Sequence, residues 1–222
     1  AGTKPSGGTI APATPRIVLI DRPGSPQSYI LGGQVLPKKG TDDLETLITA
    51  NQALGTDFLS RINTNLRETK GWSYGVRASI NRVAGDVPYI VLAPVQADRT
   101  GESIAAIKAD MTDFLSTKGI TEEERARIIN GNILELPGSY ETSGAVLSAL
   151  QRNALYGRAD DFYDSLASQY RGMTREQLDA SIRAVLKPDQ MLWVVVGDAK
   201  IVRPQLEKLG LPVELMSQAG GN

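Results

Sequence analysis

The run Met191–Val196 (MLWVVV) constrains the fold of this chain most. It is apolar on both faces, which predicts a buried central strand. The other strand candidates lie far upstream. Arg16–Asp21 (RIVLID) is a short β-branched run, broken by Pro23-Gly24 and Pro26, and Ser28–Val35 (SYILGGQV) follows it. In Ser73–Asn81, Tyr74, Val76, Ala78 and Ile80 alternate with Ser73, Gly75, Arg77 and Ser79. Val87–Val95 (VPYIVLAPV) is a more continuous neighbour, with Pro88 and Pro94 suited to strand ends or an edge.

Helical patterns fill the intervals. Thr41 is a plausible N-cap for a helix carrying Leu44, Leu47 and Ile48, which Gly55 breaks. A second helix carries Leu59, Ile62 and Leu66, with Gly71 at its left-handed C′ position. Ile104, Ile107, Met111 and Phe114 or Leu115 form the next stripe. Thr121 with Glu124, and Thr174 with Gln177, have the spacing of capping boxes. Further helices are expected at about Tyr140–Tyr156 and Asp161–Tyr170. Strands and helices do not alternate regularly, so a doubly wound parallel sheet is disfavoured. The expected fold is α+β: all five strands in one mostly antiparallel sheet, with helices packed on one face.

Residues 1–15 are rich in Gly, Pro, Ala and Thr and read as a linker. Residues 16–212 are expected to form the domain and 213–222 a tail. The linker composition suits an exported bacterial protein. No signal peptide is evident, and either a processed chain or an excised piece of a longer one would start like this.

Composition narrows the chemistry. The chain has 222 residues and a formal net charge of −1, with no histidine and no cysteine. A thiol nucleophile, a Ser-His-Asp triad and an H-E-x-x-H zinc helix are therefore excluded. The charge balance gives no footprint for nucleic acid, and no apolar run reaches the length of a membrane span. Gly32-Gly33 reads as a strand irregularity. Glu122, Glu123 and Glu124 read as first-turn acids that complement a helix dipole.

The segment Phe58–Ser79, FLSRINTNLRETKGWSYGVRAS, concentrates Arg61, Arg67, Tyr74 and Arg77 with Asn63 and Asn65. A tight turn could bring Arg67 and Tyr74 together, where fixed N–H and O–H donors hold a carbonyl oxygen or the oxyanion it becomes. Pattern alone favours another account. Arg67 would then stabilise a helix C-terminus, and Tyr74 would be a core residue with its hydroxyl at the edge.

This segment resembles the signature of the second domain of pitrilysin-type zinc peptidases, approximately F-x-S-R-L-x-x-x-L-R-E-x-x-G-x-x-Y. DRPGSPQS, LAPVQADRTGESI, ITEEERARIINGNILELPGSYET, ALYGRADDFYDSL and VVVGD resemble further family segments in the same order. The resemblance covers about Pro15–Leu211. It implies the non-catalytic domain of a clamshell enzyme whose H-x-x-E-H zinc site lies in a partner domain or subunit. It implies no cofactor in this chain, with zinc in the partner and a peptide as substrate. It assigns Arg67 to the substrate backbone and Tyr74 to the tetrahedral intermediate, both opposite the zinc. Thr56 departs from the family's second glycine, a small loop change. The isolated chain is expected to be inactive. Family members also serve as respiratory-complex core subunits without peptidase activity, so a structural role is the alternative. A third reading is a module that clamps extended peptides by strand addition without cleaving them.

Overall fold

The computed structural model describes residues 10, 11 and 13–216. One six-stranded sheet carries the chain, in the order β3-β4-β2-β5-β1-β6. Its strands are β1 (Ile17–Asp21), β2 (Gln27–Lys39), β3 (Arg77–Ile80), β4 (Asp86–Gln96), β5 (Leu192–Gly197) and β6 (Val213–Met216). The pairs β3-β4, β4-β2 and β2-β5 are antiparallel. Only β1 is parallel to its neighbours, β5 and β6. The α+β expectation holds, and the MLWVVV segment enters the sheet between β2 and β1.

Period-two burial explains the layering. Ile17 and Leu19 of β1, Ile30 of β2, Val91 of β4 and Trp193 and Val195 of β5 are fully buried on one face. There they join Ile62 of the Phe58–Ser79 segment, Leu47 of α1 (Glu45–Asn51), Ile104 and Ile107 of α3 (Thr100–Leu115) and Leu178 of α7 (Arg175–Val185). Between them in the chain lie a short α2 (Arg61–Asn63), α4 (Glu122–Glu135), α5 (Ser143–Tyr156) and α6 (Phe162–Gly172). The last helix is α8 (Ala199–Leu206), which buries Val202 and Leu206. The alternate residues, among them Val18, Tyr29, Leu31, Leu92 and Val194, point to the opposite face and stay partly or largely accessible. Strand register places Leu31 between Val194 and Leu92, so that face is apolar across its centre.

Both capping boxes form, at Thr121/Glu124 and Thr174/Gln177, and Gly71 adopts φ +64°. Other local expectations are corrected. Thr41 caps nothing: α1 starts four residues later, where Asp43 Oδ1 accepts from the Glu45 N–H at 3.1 Å. Gly55 does not end the helix, which continues as a π-helical turn through Gln52–Thr56. Its lack of a side chain instead admits Ala78, because a Cβ there would lie 2.4 Å from that of Ala78. Gly32-Gly33 is no irregularity either, since the register runs evenly through both and shifts only between Val35 and Lys39. A Cβ on Gly32 would come within 2.6 Å of the Trp193 ring, so this glycine makes room for the largest buried side chain.

Of the expected linker, residues 1–9 and 12 lie outside the described residues. Ile10 donates its N–H to Asp86 at 2.9 Å. The expected tail begins differently, because Val213–Met216 pair with β1 as an edge strand. Residues 217–222 lie outside the described residues. Among the described residues no helix is long and apolar enough to cross a membrane.

Candidate functional site

The expected strand Ser73–Asn81 shortens to Arg77–Ile80, and the cause is local. Side chains take the backbone groups that would otherwise pair. Ser73 Oγ accepts from the Gly75 N–H at 3.1 Å and donates to the Pro94 carbonyl. Asn63 Oδ1 accepts from the Val76 N–H at 2.9 Å. Backbone satisfied in this way has less reason to join a ladder. Residues 71–76 therefore form a pinned turn, and Tyr74 stands on it 91% exposed. Its side chain is not in the core, unlike Val76 and Ala78 two and four residues on.

Arg67 lies in a second π-helical turn, Thr64–Thr69, that extends α2. Wide turns of this kind are frequent near functional sites. Its guanidinium stacks 4.4 Å above the Phe58 ring and approaches Glu68 at 3.2 Å. Its Nη1 is buried without a well-formed hydrogen bond. Tyr74 and Phe58 line a shallow groove of about 440 Å³ with Tyr29, Asn63, Leu92 and Pro94. Arg67 reaches this groove through the Phe58 ring and does not itself line it. Asn63 ties the two walls together, since its Nδ2 also donates to the Phe58 carbonyl at 2.7 Å.

The remaining residues of the segment hold the frame. Arg61 donates to Glu124 at 2.8 and 2.7 Å and to the Lys118 and Gly119 carbonyls. Burial alone would raise the Glu124 carboxyl, but Arg61 and the Thr121 N–H outweigh it and hold the group below its ordinary value. Asn65 donates to Asp110 at 3.0 and 2.8 Å, while burial pushes the Asp110 carboxyl up. Arg77 is exposed and lines the groove. Glu122 pairs with Arg125, so the glutamate cluster serves the helix start. Among the described residues no three potential ligands gather to hold a metal. The chain also lacks the His and Cys donors that zinc usually takes, so its residues do not fit a zinc site.

Tyr29 and Phe58 were not singled out as groove residues in the sequence, although both could have been found. Tyr29 falls on the outward positions of β2 with Leu31. Phe58 opens the motif segment itself, and its ring is 66% exposed.

The chain is thus an α+β domain with a mostly antiparallel sheet, helices on one face and no metal-ligand cluster among the described residues. Residues 3–132, more than half the chain, match the family described as the peptidase M16 inactive domain, and the chain belongs to it. It is 26% identical over 212 residues to uncharacterized zinc proteases of Mycobacterium tuberculosis and Mycobacterium bovis, a match covering 93% of this chain and 45% of theirs. The chain thus spans less than half the length of these curated relatives. Its fold is similar to the crystal structure of a peptidase M16 inactive domain from Pseudomonas fluorescens, with TM-score 0.77 and 23% identity over 86% of this chain and 45% of that one. It is also similar to a chain of complex III2 from Candida albicans, with TM-score 0.65 and 12% identity over 90% and 49% of the two chains.

Proposed function

We propose that this chain is the substrate-binding, transition-state-supporting domain of a zinc-dependent metalloendopeptidase. The zinc site belongs to another domain or subunit, which the chain faces with the open side of its sheet. The observation that carries this reading is the placement of Tyr74. A tyrosine held on a pinned turn and 91% exposed gains nothing from packing. Its hydroxyl is free to donate to an oxygen outside the domain.

In this reading an extended peptide lies over the groove. Tyr74 donates to the oxyanion that forms as the scissile carbonyl becomes tetrahedral, an interaction stronger in the transition state than in the ground state. Arg67, braced by Phe58, shifts forward to hold a substrate carbonyl with its guanidinium. The accessible apolar face around Leu31 and Val194 meets the partner.

The test is reconstitution with a zinc-bearing M16 half and steady-state kinetics. Tyr74→Phe keeps the ring and removes the donor, and should lower kcat by about 100- to 1,000-fold with little change in KM. Arg67→Lys keeps the charge but loses the planar fork, and should raise KM as well as lower kcat. Neither should shift the melting temperature. Early melting with full activity per folded molecule would make both residues framework and end the proposal.

The second reading is a structural subunit without peptidase activity, favoured by the fold similarity to a complex III2 chain. In that case Tyr74→Phe leaves the assembled protein unchanged, and the zinc-bearing half shows no cleavage that depends on this chain.

A further inference from the structure

Away from the groove, a second cavity of about 400 Å³ opens between α4, α5, α6 and the start of α1. Its floor is built around one carboxylate. Glu45 Oε1 accepts from Arg82 at 3.0 Å and from Arg158 at 2.6 Å, and all three side chains are largely buried. Arg82 also donates to the Gly40 and Asp42 carbonyls. The two guanidinium groups flank the Tyr156 ring at 5.4 and 5.7 Å, and Arg158 stacks 4.0 Å over Phe162. Gly157 makes this possible: its φ of +65° ends α5 and turns Arg158 back into the cluster.

The walls are aromatic. The Tyr140 and Tyr163 rings meet at 4.9 Å, and Tyr163 packs edge-on against Phe162 at 5.1 Å. Tyr170 lines the same space, and burial pushes its hydroxyl up to about 12, so it stays a neutral donor.

Two polar groups remain unused. Tyr163 Oη is buried and has no hydrogen-bond partner among the described residues. A ligand acceptor that reaches it would supply the hydrogen bond it lacks. Arg152 lines the cavity, is exposed, and makes no ion pair among the described residues. The cavity holds three arginines, Arg82, Arg152 and Arg158, against two carboxylates, Glu45 and Glu135. One positive charge is therefore left over.

The geometry points to a binding site for a carboxylate borne on an aromatic or apolar body, held between Arg152 and Tyr163 against the rings of Tyr140 and Tyr163. Arg offers two parallel donors to a carboxylate and Tyr offers one. The rings supply an apolar surface on which a flat group can stack. The same chemistry is carried by a peptide's C-terminal residue and by a free aromatic acid. The site is independent of the Tyr74 groove and does not rest on the peptidase reading.

The test is calorimetric titration of the 222-residue chain with N-acetyl-phenylalanine, benzoate, benzamide and inorganic phosphate. Both carboxylates should bind saturably, with benzamide weaker by about tenfold or more, the usual worth of a hydrogen bond to a charged group. Arg152→Ala should weaken the carboxylates by about tenfold, and Tyr163→Phe, which keeps the ring, by several-fold. Tighter binding of N-acetyl-phenylalanine assigns the site to peptide termini, and tighter binding of benzoate assigns it to free acids. The proposal is overturned if neither carboxylate saturates at millimolar concentration, if benzamide binds as well as benzoate, or if phosphate alone binds. Unchanged binding by both variants, with wild-type circular dichroism, overturns it equally.

Discussion

The two faces of the sheet are made of similar residues and meet different fates. On one, Trp193, Val195, Ile30 and Val91 are sealed beneath helices. On the other, Val194, Leu31 and Leu92 are just as apolar but remain partly accessible, and Tyr29 is half exposed. A sheet with one face in water normally alternates apolar and polar residues. This one does not alternate in β5, where both faces are apolar. The sequence is thus written for a sheet covered on both sides, while its own helices cover one. That asymmetry is the physical ground for expecting a partner.

The contrast can be broken by substitution. Trp193→Ala opens a cavity on the sealed face and should cost about 3–5 kcal/mol in urea denaturation. A loss under about 1 kcal/mol would mean that face is not the load-carrying core. Asn51→Ala removes a donor to the Ala78 carbonyl at the β3 edge, where Thr56 also donates. It should cost about 1–3 kcal/mol, because the site is buried. Glu124 tests the helical layer through pH. Its carboxyl titrates lower when folded than when unfolded. The ionised form therefore adds stability above the ordinary Glu value of about 4.3, and that contribution is lost as the pH falls through the depressed value. Glu124→Gln should flatten this part of the stability profile between neutral pH and pH 3. Leu31→Ser on the open face should change stability least, by about 0.5 kcal/mol, as for ordinary surface positions. A loss above 2 kcal/mol would show that the open face is already core in the isolated chain, and would remove the main physical reason for a partner.

Much of this architecture was legible because long periodic signals dominate local ones. The doubly apolar Met191–Val196 marked a central strand, and both capping boxes marked helix starts at the right residue. What was misread depended on contacts distant in sequence. Gly55 and Gly32 look like breakers in a one-dimensional pattern, yet each is small to admit Ala78 or Trp193. Ser73–Val76 alternates like a strand, but Asn63 and Ser73 claim its backbone first. The helix α8 and strand β6 were missed: α8 is a short element interrupted by Pro204, and β6 has four residues. At the site, the motif located Arg67 and Tyr74, but periodicity alone placed Tyr74 in the core. The groove's other wall, Tyr29, comes from a strand that register alone brings alongside Pro94.

The position of β1 sets an order of events. Both of its neighbours in the sheet, β5 and β6, come from residues 192–216, so every ladder it makes spans more than 170 positions of chain. Closing such loops is slow, because the entropy of the closure precedes any reward from contact. The β2-β4 ribbon and its helices can assemble first, but half of the sheet must wait for the last fifth of the chain. Until it arrives, Ile17 and Leu19 have no shelter, and a bare apolar strand invites intermolecular pairing. Shortening the chain ahead of β5 would therefore be expected to leave aggregates in place of a smaller folded domain.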